Sequence, residues 1–298
     1  ALIIVAVRHV DGETLVRYLR VELLLGILIT FPLSILSMVL AGLRLVALSG
    51  VPPMPLTASV KAVAIAMGLG ALLPGRLAEF LKVAYLRESA AVPASIGMAA
   101  VLLERAIDVA ILVFLAALSI NLLFAGAGTA FVSLGAAVAI FFVVIRFGDS
   151  ILNWLVDRLP WARVRAGCRR LLEHLTAKIK TRSFYAAVGY GAANWLCGMG
   201  NVYLLLRVAG SIPVGIGDAF SVMVISMIGG AIPALPGGFG TYEVAVVFAL
   251  KGYGYSNEEA LLLALILHVG HRTRLAQQPR DPLEHQFRTL RLAGIKCV

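Results

Sequence analysis

Charge is scarce in this sequence: Asp, Glu, Lys and Arg make up 14% of its 298 residues, against 60% hydrophobic ones. A soluble domain carries roughly 25% charged and 45–50% apolar residues, so a water-soluble enzyme, a disordered chain and a collagen are excluded. Cysteine is scarce as well. Cys168, Cys197 and Cys297 are scattered, with neither CxxC nor metal-ligand spacing, and they read as packing residues. There is no GxxxxGK[ST] loop, no DxD pair and no HExxH helix, so no cofactor and no metal is expected.

What remains is a multi-span membrane protein. Its 26 Lys and Arg exceed its 16 Asp and Glu, giving +10. In a membrane protein that excess marks cytoplasmic loops and anionic headgroups, so lipids are the expected partners and nucleic acid is not. Nothing in the sequence fixes an oligomeric state. The chain opens on ALIIVAV, which reads as the tail of a first transmembrane helix whose start is missing. At the other end, NEEALLLALILHVGH reads as a last membrane helix, followed from Arg272 by a basic stretch. The expected organisation is an integral domain over 1–271 and a tail over 272–298, either cytoplasmic or non-native, to which no function is assigned.

Uncharged runs locate the spans, because Asp, Lys or Arg at a helix centre costs roughly 2.5–3.5 kcal/mol on insertion. Leu23–Leu43 is one such run, closed by Arg44 at the expected interface. Val109–Ile145 is too long for one helix and is broken by AGAGT at 125–129, which predicts two helices, the first starting near Ser95. Ser183–Leu206 is a further span. Asn194 and Asn201 lie on it with a spacing that suits polar bonding between helices. Between spans, Asp149–Arg182 carries eight Lys and Arg against three acids, with Leu and Trp at helical intervals. It reads as a basic amphipathic segment on the surface, with 158–182 cytoplasmic by the positive-inside rule. A plain topology signal and a lipid-regulatory patch are both open readings of it.

An internal echo is more informative. MGLGALLPGRLAE at 67–79 and MIGGAIPALPGGFGTYE at 227–243 share a Met, a small-residue stretch, Leu-Pro-Gly and then an acid. Gly/Pro-broken hydrophobic segments in corresponding halves point to a transporter-type site. A break frees backbone groups that lipid cannot satisfy, and the helix that restarts offers its N–H groups to anions. Pro74, Gly75 and Arg76 in one half, and Pro236, Gly237 and Gly238 in the other, are therefore candidate substrate-binding residues, with Arg76 placed for a phosphate. Pro74 and Pro236 are expected to approach each other near mid-bilayer. The plainer alternative is a simple loop between two spans.

VLLERAIDVAILVF places Glu104, Arg105 and Asp108 on one helix, about 12 Å past its start at ~1.5 Å per residue. Charges at that depth face the bundle interior and pair. Arg105 can neutralise only one of the two acids, so a further cation is required, and Arg76 or Lys82 would supply it. Glu79 and Lys82 follow the first break, while Tyr242 and Glu243 follow the second. His268 and His271 have no third ligand in sight and read as helix-end residues.

At these residues the sequence resembles the lysylphosphatidylglycerol synthase transmembrane-region family, which includes the flippase domain of the bacterial multiple peptide resistance factor. The carrying motifs are LLPGRLAEFLKVAYLRE at 72–88, VLLERAIDVAILV at 101–113 and LPGGFGTYEVAVVFAL at 235–250, with the likeness running from about 12 to 271. The resemblance implies an all-α, polytopic helix bundle with two re-entrant helices facing a lipid-accessible cavity. It puts Arg76, Glu79, Glu104, Arg105, Asp108 and Glu243 at signature polar positions. The soluble aminoacyl-transferring domain of the two-domain members is absent from this sequence, so a flippase-like protein of the bacterial inner membrane, rather than an enzyme, is expected. The alternatives are a membrane-embedded transferase on a polyprenyl-linked substrate and an accessory subunit of an envelope-lipid pathway.

Overall fold

The computed structural model describes residues 22–50, 54–69, 78–124, 135, 153–154, 156–158, 160, 162–179, 181–232 and 240–272. Among them there are only helices and connecting turns, as an all-α reading requires. In chain order these are α1 (Glu22–Ser49), α2 (Leu56–Leu69), α3 (Ala78–Ser89), α4 (Ala94–Phe124), α5 (Ala162–Ile179), α6 (Arg182–Ala209), α7 (Ile216–Ala231), α8 (Thr241–Gly252) and α9 (Asn257–Arg272). The Leu28–Ser49 part of α1 is long and apolar enough to cross a membrane, and α2 and α7 are shorter apolar helices. Apolar side chains also point outward: Leu28, Val109, Leu196, Val244 and Phe248 are each at least 60% exposed. Water would penalise such faces, whereas acyl chains accept them.

The sequence boundaries largely hold. α4 begins at Ala94 and stops at Phe124, just before AGAGT, and α6 matches the 183–206 span. One boundary moves: α1 does not close at Arg44 but continues to Ser49, leaving Arg44 inside the helix and 3% exposed. The two Leu-Pro-Gly breaks and the 273–298 part of the tail lie outside the described residues, so the expected re-entrant tips, and the approach of Pro74 to Pro236, do too, while Arg272 ends α9.

The chain sorts into two compact units, one of 1–38, 67–77 and 194–278, the other of 39–66, 78–193 and 279–298. In the first, α8 packs on both α7 and α9. There Ser37 Oγ donates to Asn194 Oδ1, and Asn201 Nδ2 donates to Ser34 Oγ at 3.5 Å, which is the cross-helix bonding the asparagines suggest. Small residues let those same helices close up: a Cβ at Gly200 would lie 3.1 Å from Leu33 Cδ1. In the second unit, α4 packs on α3 and α5. α5 is the amphipathic segment foreseen, with Leu172 buried and Arg169 and Arg170 exposed. Its Lys178 is half-buried beside Gly50, which lowers its pKa because burial penalises the ammonium.

Candidate functional site

Six charges of the second unit close into a ring. Lys82 Nζ lies 2.7 Å from Glu79 Oε2 and 2.9 Å from Glu104 Oε2. Glu104 Oε1 takes Arg44 Nε at 3.2 Å, and Arg44 Nη1 reaches Asp108 Oδ1 at 2.7 Å. Arg105 Nη2 meets Asp108 Oδ2 at 2.9 Å, and its Nη1 returns to Glu79 Oε1 at 3.6 Å. Three cations and three carboxylates thus alternate around the ring, and its formal charge is zero. α1, α3 and α4 each contribute, and helical spacing explains how: Glu79 and Lys82 sit at i,i+3 on α3, as Arg105 and Asp108 do on α4.

The ring has a dry side and a wet side. Arg44, Lys82 and Glu104 are at most 4% exposed at their side chains, whereas Asp108, Glu79 and Arg105 are 17%, 22% and 27% exposed. The loosest contact, Arg105 to Glu79, joins two residues on the wet side. Arg105 Nε is buried and has no hydrogen-bond partner among the described residues. On the dry side α6 supplies no charge but makes room: a Cβ at Gly191 would lie 3.3 Å from Arg44 Nη1 and 3.2 Å from Ile107 Cγ2.

The first unit buries charge differently. Glu243, in the first turn of α8, accepts the Gly240 N–H at 2.7 Å on one carboxylate oxygen and faces His268 Nδ1 of α9 with the other. Both residues are 3% exposed. Tyr242 lays its ring on the imidazole, with centroids 4.6 Å apart.

Of the sequence candidates, Glu79, Lys82, Glu104, Arg105 and Asp108 are brought together, and Tyr242 and Glu243 form a separate pair with His268. Pro74, Gly75, Arg76, Pro236, Gly237 and Gly238 lie outside the described residues. Lys82 is one of the cations that the α4 acids required. Arg44 was not foreseen, although the same shortage of positive charge on α4 was the signal for it. His268 belongs with Glu243 rather than at a bare helix end; it and His271 are the only titratable residues in the last apolar run. Among the described residues no group of His, Cys, Asp and Glu has the makings of a metal site.

Comparison with known proteins gives the chain a family. The lysylphosphatidylglycerol synthase TM region family matches residues 1–270. A phosphatidylglycerol lysyltransferase of Bacillus subtilis (strain 168) is 33% identical over 91 residues, which is 30% of this chain and 10% of that protein. The chain thus matches only about a tenth of that relative's length. No solved structure matches. With the family matching nearly the whole chain, and with one membrane-length helix, α1, carrying the buried Arg44, the protein belongs to the lysylphosphatidylglycerol synthase TM region family, whose name links it to membrane lipid.

Proposed function

We propose that the protein is a multi-pass component of the bacterial inner membrane that binds an anionic or amphiphilic lipid and moves it between leaflets, without itself catalysing a covalent reaction. One observation carries the reading: Arg105, on the wet side of the ring, keeps a buried Nε donor without an acceptor and spans a long 3.6 Å contact to Glu79. A headgroup phosphate satisfies that donor, and Glu79, released from Arg105, is still held by Lys82. The exchange replaces one charge contact by another, so neither partner is left bare in a low dielectric. The dry half keeps the helices in place meanwhile. Arg76, in the first Leu-Pro-Gly motif, is a further candidate headgroup ligand on the strength of the sequence alone. The orientation with 158–182 in the cytoplasm rests on its basic residues.

The name of the Bacillus subtilis relative favours one alternative, a part in lipid aminoacylation, but only 10% of that enzyme is matched. Proteoliposomes with fluorescently labelled lipids and an impermeant quencher separate the readings. Wild-type protein should accelerate lipid movement, and Arg105→Gln and Arg76→Gln should lower that rate by at least about tenfold while melting near the wild-type temperature. Normal movement of every lipid by both stable variants would refute the site.

A further inference from the structure

The Glu243–His268 pair takes no part in the lipid site just described, yet it is the more unusual use of buried charge. It lies in a three-helix arrangement with little slack. At Gly229 of α7 a Cβ would fall on Ala245 and on the Thr241 carbonyl oxygen, so backbone meets backbone there. At Gly230 a Cβ would lie 3.3 Å from Tyr242 Cδ2, so Tyr242 is held between α7 and the imidazole. Gly240 adopts a φ of +88°, the left-handed region that suits glycine, and this turns its N–H onto the Glu243 carboxylate.

We propose that Glu243 and His268 form a proton-binding site that takes up and releases one proton during lipid movement, a role that rests on the transport reading above. Because His268 Nδ1 faces the carboxylate, that nitrogen donates its hydrogen to Glu243 Oε1, and the incoming proton is carried by the other ring nitrogen, Nε2. The pair then passes from net −1 to net zero, with no other bond made or broken. Two opposing influences make the proton exchangeable. Burial in an apolar surround disfavours the lone anion, whereas the Gly240 N–H and the positive end of α8 favour it. The proton state also decides how firmly one carboxylate holds two elements, the start of α8 and the middle of α9.

Other titratable groups on these helices are remote or of another kind. On α7, Asp218 is twelve residues before Gly230, roughly 18 Å along a helix. On α8, Lys251 is eight residues beyond Glu243, about 12 Å away along the axis. On α9, Glu258 and Glu259 precede His268 by about 14 Å, with Glu259 accepting the Ser211 N–H, while His271 and Arg272 follow within a turn or so. Tyr242, whose ring lies against the imidazole, is a titratable neighbour in contact.

The test uses the full chain in phosphatidylglycerol nanodiscs, with His9, His174, His271 and His285 changed to Gln and the remaining histidine 15N-labelled. His268 should titrate in a single step between pH 5 and 9. In proteoliposomes the wild-type flip rate should change by up to about tenfold per pH unit on one limb, and in His268→Gln it should not vary with pH. An imidazole locked in one protonation state across pH 5–9, or an unchanged pH profile in His268→Gln, would overturn the proposal. The titration needs no substitution at the pair itself, so a misfolded His268→Gln leaves it decisive. A titrating His268 in a protein that moves no lipid at any pH would uphold the proton site and remove the transport reading instead.

Discussion

The two units of this chain bury charge by opposite rules. In the ring, every carboxylate touches two cations and every cation two carboxylates, so removing one proton or one partner disturbs three residues at once. In the Glu243–His268 pair a single imidazole faces a single carboxylate, whose other oxygen is spent on a backbone N–H. Closure ties α1, α3 and α4 together through one network. On the proton-site proposal, the open pair answers to one proton. Buried charge therefore has no single meaning in a membrane protein; the number of partners per group decides whether it locks or switches.

The largest expected effect tests the closure of the ring. Arg44→Leu leaves the fully buried Glu104 and the partly exposed Asp108 short of a cation, and breaking a buried pair from one side typically costs ~3–5 kcal/mol. Thermal unfolding in detergent should show that loss, while Arg105→Leu, on the wet side, should cost less than half as much. Equal losses would erase the distinction between dry and wet halves.

The walls of the pair come next. Gly229→Leu forces a side chain onto Ala245 and the Thr241 carbonyl, and overpacking of this kind costs about 1–3 kcal/mol. The same variant should shift the 15N resonances of His268; a silent imidazole would mean that α7 does not confine the pair.

A neutral bond sets the scale for both. Asn194→Ala removes the hydrogen bond from Ser37, and cross-helix bonds in membranes average about 0.6 kcal/mol with a maximum near 1.7. A loss as large as that of Arg44→Leu would show that charge is not what distinguishes the ring.

The smallest effect concerns a cation outside any ring. Burial lowers the pKa of Lys178 below its usual 10.5, so the unfolded chain binds more protons there and stability rises as pH climbs toward that value. Lys178→Met should abolish this alkaline gain in melts between pH 8 and 10.5. A steeper rise in the variant would reverse the sign.

Some helices were legible from their uncharged runs, because such a run in a bilayer has few other fates. The ends of α4 and α6 fell within a few residues of the expected ones for this reason. Arg105 with Asp108 followed from i,i+3 spacing, since helix geometry is local. Arg44 escaped, because an arginine after an apolar run looks like an interfacial residue until its partners 60 and 64 positions away are seen. His268 escaped for a similar reason: its partner is 25 residues back, on another helix. Spacing within one element is written in the chain, and pairing between elements is not.

Arg44 also sets the order of events at the translocon. It reaches the membrane with α1, whereas Glu104 is synthesised 60 residues later, a delay of roughly 3–12 s at ribosomal speeds. During that interval α1 carries an uncompensated guanidinium five residues from its end, at an insertion cost below the roughly 2.5–3.5 kcal/mol of a helix centre. The arrival of α4 removes that cost, so a nascent chain arrested before residue 94 should hold α1 in the bilayer less firmly than one arrested beyond 124.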